Sequence, residues 1–278
     1  MESNIQKVIK KSGETMLRDY CPYGEINIIT AKTQSHTSAE NINMTNFVST
    51  ILDKYTIKEY FNAKGGMEKD IEKIISVIKK SGVNFEGKKI LEFGAGTCKL
   101  SATISTMFNV KEIWALDQAT NLLKEIAPKI ISAVGGDLSK FTFAIGDMNA
   151  AFELNEKFDA IVCFGAVHHL YLPEYFFEKL HQILQPGGFV LIVDEPTLPE
   201  FNSLPLTPVK KFKEVHFAKK RIGENENAYT ISRYKNIFGE TWLTTLISTN
   251  NFKINLKRWL PINYFMTNYL LKPNNRTK

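Results

Sequence analysis

Three clusters of residues have the types and spacing to do chemistry, and each follows a short apolar run. Gly94 and Gly96 flank Ala95 directly after Lys89–Phe93. Glycines in such a turn permit a tight bend and let a ligand approach the main chain closely. His168 and His169 follow the run Ala160–Phe164. Histidine titrates near neutrality and can take a proton from a reacting hydroxyl. Adjacent histidines do not point the same way, so one of the pair is expected to act. Asp194 and Glu195 follow the run Phe189–Val193, and either can orient a histidine or act as base itself. His36, His181 and His216 are isolated and read as structural or surface residues. Cys21-Pro22-Tyr23-Gly24 looks like half of a zinc knuckle, but no second Cys pair exists, so no metal is expected.

The elements that must position these clusters have a regular rhythm. Ile71, Ile74, Ile75 and Ile78 follow helical spacing and predict an amphipathic helix over Met67–Lys80, ended by Ser81-Gly82. Five apolar runs follow: Lys89–Phe93, Glu112–Leu116, Phe141–Ile145, Ala160–Phe164 and Phe189–Val193. Helical segments Cys98–Met107, Thr120–Ile131 and Pro173–Leu184 separate them. Near-continuous apolar runs suit strands buried on both faces. Their alternation with helices predicts right-handed βαβ units in an α/β, doubly wound, mostly parallel sheet. Such a sheet binds its ligand at the carboxyl ends of its strands.

Outside this core the pattern changes. Residues 1–65 lack strong periodicity and are expected to form an N-terminal cap, with Phe47–Phe61 helical and Thr30–Asn46 a loop. The main domain is placed at 66–260, and 261–278 as a C-terminal strand or tail. The stretch 196–229 holds the basic clusters Lys210/Lys211/Lys213 and Lys219/Lys220/Arg221 and is expected to be a lid insertion. Phe212 and Phe217 among them are expected on the buried face of a lid helix rather than stacked on nucleic-acid bases. Ile231–Thr249 reads as a helix and Phe252–Leu260 as a strand.

Composition excludes several classes. The chain has 278 residues, 44% hydrophobic and 23% charged, which suits a globular protein with a sizeable core. Its apolar runs are far shorter than a membrane span needs, and Met1–Lys11 has no apolar stretch of the signal-peptide kind. Three scattered cysteines exclude a disulfide framework and fit a reducing cytoplasm. The net charge of +6 is unevenly spread: residues 89–196 carry −5 and residues 197–278 carry +9. A basic segment of this kind suits an anionic partner or a solvated face.

The glycine turn departs from the dinucleotide fingerprint, because Lys99 stands where a third glycine would. Leu91-Glu92-Phe93-Gly94-Ala95-Gly96-Thr97-Cys98 instead resembles the first motif of class I S-adenosylmethionine-dependent methyltransferases, with Cys98 replacing the last glycine. Further stations of that family occur in order: Asp117-Gln118, Gly146-Asp147-Met148, the stretch after Phe164, and the Pro186-Gly187-Gly188 turn. The resemblance implies a seven-stranded Rossmann-like sheet binding S-adenosyl-L-methionine and releasing S-adenosyl-L-homocysteine. Glu92, Gly94, Ala95, Gly96, Asp117, Gln118, Asp147, Met148 and Phe164 would form the cofactor site. Asp117 would accept the ribose hydroxyls, Asp147 the adenine amino group, and Met148 would pack on the ring. Val167-His168-His169-Leu170, Asp194-Glu195-Pro196 and Gly223–Tyr229 resemble a branch associated with glycan and surface-polysaccharide biosynthesis.

The resemblance implies methyl transfer to a small or glycan-linked acceptor, at oxygen, with His168, His169, Asp194 and Glu195 as the candidate catalytic residues. An anionic sugar or nucleotide sugar is the expected partner. Absence of an Asn/Asp-Pro-Pro-Tyr/Phe motif or a Pro-Cys nucleophile after the fourth run argues against a nucleic-acid substrate. N-methylation of an amino sugar or other metabolite, a catalytically silent cofactor-binding partner, and a nicotinamide oxidoreductase are the rival readings.

Overall fold

The computed structural model describes residues 66–200, 228–248 and 265–274, together with the backbone of residues 9–11, 14–21 and 24–30. The basic clusters at 210–221, Phe212, Phe217, most of the 223–229 motif, the 252–260 strand, His36 and His216 lie outside the described residues, as does 31–65.

The five apolar runs are five parallel strands. They are β4 (Lys89–Phe93), β5 (Glu112–Asp117), β6 (Phe141–Ile145), β7 (Phe158–Phe164) and β8 (Leu184–Leu198). The N-terminal strands are β1 (Ile9–Lys11), β2 (Glu14–Cys21) and β3 (Gly24–Thr30). At the C-terminal side come β9 (Tyr229–Thr230), β10 (Trp242–Ile247) and β11 (Phe265–Pro273). The order is β1-β2-β3-β6-β5-β4-β7-β8-β11-β10, with β9 on β8. Strands β3 through β8 in that order pair in parallel, and β11 runs antiparallel to β8 and β10. The chain leaves β4 toward β5 and later returns on its other side as β7. This reversal is the switch point, where a ligand crevice opens at the strand ends.

Helices α1 (Gly66–Ser81), α2 (Lys99–Met107) and α3 (Ala127–Val134, after a turn over Leu122–Ile126) pack on one face. On that face Ile74, Val77, Ile78, Leu100, Ile104 and Ile131 meet the strands' buried side chains. Helices α4 (Pro173–Lys179) and α5 (Ile231–Phe238) cover the other face through Phe176, Phe177, Tyr234, Ile237 and Phe238. Strand interiors are buried on both sides, as near-continuous apolar runs require.

Three expectations are corrected. Residues 9–30, within the stretch read as a helical cap, hold three strands, so among the described residues the sheet has eleven strands rather than seven. The helix read over Ile231–Thr249 ends at Phe238. Gly239, at φ 75°, terminates it, and the Trp242–Ile247 run is a strand. The break placed at 196 falls inside β8, which continues to Leu198 and pairs there with β9. The 261–278 stretch supplies β11, which lies between β8 and β10 within the sheet.

Candidate active site

The glycine turn begins where β4 ends. Gly94 sits at φ 60° and Gly96 at φ 51°, conformations that L side chains rarely adopt. A Cβ on Gly94 would lie 2.6 Å from the Ala166 Cβ and 3.9 Å from the Met148 sulfur. The turn, the loop after β7 and the start of the segment after β6 therefore meet at Gly94. Among the described residues, a Cβ on Gly96 would meet nothing within 4 Å, so the turn's outer edge is open there.

Hydrogen bonds lock these loops together. Ala95 N–H donates to the Leu116 carbonyl (3.0 Å), Gly146 N–H to the Asp117 carbonyl (3.1 Å), and Gly165 N–H to the Val193 carbonyl (2.8 Å). Asp117 ends β5 and is partly accessible. Its carboxylate accepts from Gly96 N–H and Ala119 N–H, each at 2.7 Å. Burial pushes the Asp117 carboxyl up, and these backbone bonds oppose the rise. Two oxygens carry about four acceptor positions, so Asp117 retains capacity for further donors. Gln118 follows it and is also partly accessible.

Glu92 lies beneath the turn and is buried. Its Oε2 accepts from Ser101 N–H at 3.2 Å. Cys98 precedes α2 at φ 59° and makes no side-chain cap, so Glu92 serves the orphan amide of the helix's first turn instead. Burial pushes its carboxyl up to about 8, and the Asp117 charge adds to the rise. Asp147 accepts from Asn149 N–H (2.8 Å) and Ala150 N–H (3.2 Å), capping the short turn that begins at Met148. Phe164 is half-buried under the Lys99 ammonium, 3.9 Å from its ring centre.

The acidic pair after β8 divides into two roles. Glu195 is fully buried. Its Oε1 accepts from Ala166 N–H (2.7 Å) and Val167 N–H (2.8 Å), and its Oε2 lies 3.1 Å from His168 Nδ1. Asp194 points elsewhere. It forms an ion pair with Lys73 of α1, and its own N–H donates to Asn268 Oδ1 at 2.9 Å. Asp194 also sits at φ 61°, a strained conformation for a residue with a side chain. His169 is partly accessible, and its ring centre is 4.0 Å from that of His168. His181 stacks on Trp242 of β10, with ring centres 4.0 Å apart.

An ionised carboxylate only accepts hydrogen bonds, so against an ionised Glu195 the proton of a neutral His168 would sit on Nδ1, with Nε2 as the basic nitrogen. His168 stands one strand away from the glycine turn, since β7 pairs with β4. Sequence reasoning missed three contributors. Lys73 reaches Asp194 from α1, and Asp70 on the same helix pairs with Lys99 at 2.7 Å. Tyr234 of α5 shares its one hydroxyl proton between the Pro196 carbonyl (3.0 Å) and Glu195 Oε2 (3.3 Å). Among the described residues no cluster of metal-binding side chains occurs, and no helix is long and apolar enough to cross a membrane.

A family model described as a methyltransferase domain matches residues 91–190, the span from β4 into β8. No curated protein matches the chain in sequence. Solved structures match the fold. A phosphoethanolamine N-methyltransferase from Haemonchus contortus, in complex with phosphomonomethylethanolamine and S-adenosylhomocysteine, aligns with 96% of this chain and 71% of its own, at TM-score 0.61 and 14% identity. An S-adenosylmethionine-dependent methyltransferase from Clostridium acetobutylicum aligns with 84% of this chain and all of its own, at TM-score 0.51 and 15% identity. A third, from Geobacter sulfurreducens with S-adenosyl-L-homocysteine, covers 73% of this chain and 91% of its own, at TM-score 0.50 and 15% identity. At these identities the likeness is one of fold: the Rossmann-like sheet of S-adenosylmethionine-dependent methyltransferases.

Proposed function

We propose that the chain is an S-adenosylmethionine-dependent methyltransferase that methylates a hydroxyl of a small or glycan-linked anionic acceptor in the cytoplasm. The observation that carries this reading is the His168 Nδ1–Glu195 Oε2 contact of 3.1 Å at the strand ends, beside the glycine turn. The turn fits the cofactor. Its two glycines hold left-handed conformations, its outer edge is open at Gly96, and a partly accessible carboxylate stands at Asp117. Gly94, Ala95, Gly96, Asp117, Gln118, Asp147, Met148 and Phe164 would hold the cofactor, and Glu92 would support the turn from below. S-adenosylmethionine supplies an electrophilic methyl group for in-line displacement.

The protein's own part is to align the acceptor and remove its proton. His168 takes the hydroxyl proton on Nε2. Glu195 holds the ring in that tautomer and stabilises the imidazolium that forms. Asp194, engaged by Lys73, shapes the acceptor edge. The +9 charge of residues 197–278 favours an anionic acceptor such as a nucleotide-linked or phosphorylated sugar. A neutral amine needs less help from a base, and the Haemonchus fold neighbour is an N-methyltransferase. Dispensable histidines would therefore favour methylation at nitrogen.

The test is a mass-spectrometric screen for gain of one methylene unit across sugar nucleotides, amino sugars and phosphorylated precursors, with S-adenosylmethionine present. A product from a hydroxyl acceptor that disappears with His168→Ala supports the reading. Failure of the folded protein to bind S-adenosylmethionine in calorimetry overturns it.

A further inference from the structure

Glu195 is surrounded by four donors from two parts of the chain. Two are the amides of Ala166 and Val167, and the third is His168 Nδ1. The fourth comes from a distant element: Tyr234 of α5 places its hydroxyl 3.3 Å from Glu195 Oε2 and 3.0 Å from the Pro196 carbonyl. Tyr234 is itself fully buried. Its ring packs against Tyr229, Phe238 and Tyr269, with ring centres 5.3, 6.0 and 5.4 Å away. A ring wedged among aromatics has no freedom to swing its hydroxyl elsewhere. A phenylalanine would satisfy that packing, so packing alone does not require the hydroxyl.

We propose that Tyr234 is a positioning residue for the base: its hydroxyl and the amides of Ala166 and Val167 fix Glu195, and Glu195 in turn holds His168 with its proton on Nδ1 and its basic nitrogen at Nε2. This rests on the reading of His168 as the base. The carboxylate oxygen shared by Tyr234 and His168 makes the two donors competitors for one centre of negative charge. Stronger donation from Tyr234 weakens the hold on His168, and loss of the hydroxyl strengthens it.

Other ionisable groups around this network are accounted for. His169 lies against His168 on the same loop. Cys163 of β7 is buried, and burial holds its thiol neutral. Tyr269 of β11 and Tyr229 of β9 face Tyr234 across the aromatic cluster, and burial pushes both phenols up. Glu200 is engaged by Ser232 N–H and Oγ at 2.9 and 2.8 Å. Arg233 and Glu174 pair with each other at the surface. Asp194 is held by Lys73.

The experiment follows the side-chain nitrogens of His168 by long-range ¹H–¹⁵N correlation in the full-length protein, with the signal assigned by His168→Asn. No acceptor is needed. In the parent protein the neutral ring is expected as the Nδ1–H tautomer. In Tyr234→Phe the fold should persist, the tautomer should remain, and the midpoint of the His168 titration should rise by about 0.5–1 pH unit. Glu195→Gln should lower that midpoint and mix the tautomers. If Tyr234→Phe does not fold, 3-fluorotyrosine placed at 234 donates more strongly and should move the midpoint down instead. A His168 titration that superimposes on the parent in the folded variant overturns the proposal and leaves Tyr234 as a packing residue tied to the Pro196 carbonyl. The function itself fails separately, if the parent protein does not bind S-adenosylmethionine.

Discussion

Gly94→Ala brings two independent penalties to one atom. The backbone at φ 60° costs an alanine about 1–2 kcal/mol relative to a right-handed conformation. The new Cβ would also lie 2.6 Å from the Ala166 Cβ. Both carbons are fixed to main chain, so neither can rotate away, and overpacking of this kind costs about 1–3 kcal/mol. The combined loss of about 2–5 kcal/mol is a large share of the roughly 5–15 kcal/mol that holds a domain folded. It should lower Tm by about 4–20 °C. Ala166→Gly in the same chain removes one of the colliding atoms and should recover the steric part, about 1–3 kcal/mol, leaving the backbone part in place. Gly96→Ala serves as the contrast, since no described residue lies within 4 Å of its Cβ. It should cost only the backbone part in stability but weaken S-adenosylmethionine binding, because its methyl enters the open edge. Denaturant melts and scanning calorimetry without ligand measure stability, and titration calorimetry measures binding. A Gly94→Ala protein within 1 °C of the parent, or a double variant no more stable than Gly94→Ala, would refute the close approach of the turn to the loop after β7.

Asp117→Ala removes the acceptor for Gly96 and Ala119 N–H, and should weaken S-adenosylmethionine binding by about 1–3 kcal/mol; unchanged calorimetric affinity in a folded variant removes Asp117 from the site. His168→Ala should slow turnover of a hydroxyl acceptor by about 10²–10⁴-fold with little change in cofactor affinity. Normal rates in both His168→Ala and His169→Ala would sink the general-base assignment. Burial holds the Glu92 carboxyl at about 8, against 4.5 when exposed, so the native chain keeps a proton that the unfolded chain releases as pH rises through that window. Stability should therefore fall between about pH 4.5 and 8, by at most about 5 kcal/mol, and level off above. Glu92→Gln keeps an acceptor for Ser101 N–H and should flatten that decline in denaturant melts; parallel pH profiles for variant and parent would show that Glu92 does not titrate in this range. Charge reversal at Lys210, Lys211 and Lys213 should raise KM for an anionic acceptor and flatten the salt dependence of kcat/KM, with cofactor binding intact; salt-independent kinetics in the parent would leave these lysines as a solvated face.

The parts of the molecule legible in the sequence are those whose signal is local. β4 and β6 fall on the runs Lys89–Phe93 and Phe141–Ile145, because continuous branched and aromatic residues have few alternatives to a strand buried on both faces. The glycine turn was equally plain, since its conformation depends on the residues that form it. What the sequence concealed depends on contacts between distant residues. Ile231–Thr249 has helical spacing for two turns, and only Gly239 hints that the chain then reverses into β10; the alternation in Trp242–Ile247 is too short to outweigh the preceding helix. Strands β2 and β3 are legible only through their pairing, the second with β6 some 115 residues further on, counting from Asn27 to Thr142.

The same distinction runs through the site. Asp194 and Glu195 are neighbours at a strand end and look interchangeable in sequence. Side chains of β8 alternate between the two faces up to Val193, which packs on the α1 side as Leu191 does; Asp194, at φ 61° and beside a register shift against β11, keeps to that side, and Glu195 turns to the other. Asp194 meets Lys73 of α1, and Glu195 meets the loop after β7 and Tyr234 of α5. Lys73 belongs to the polar positions of an amphipathic helix and carries no mark of its partner 121 residues away. Tyr234 occupies an apolar position of α5, where an aromatic ring is explained by burial and its hydroxyl goes unnoticed. The division of labour between the two acids is thus set by the irregularity at Asp194, which decides the face of β8 that each one takes. One face is closed by the helix before the first core strand and the other by a helix after the last parallel strand, so the base is oriented by parts of the chain that carry none of the recognisable motifs.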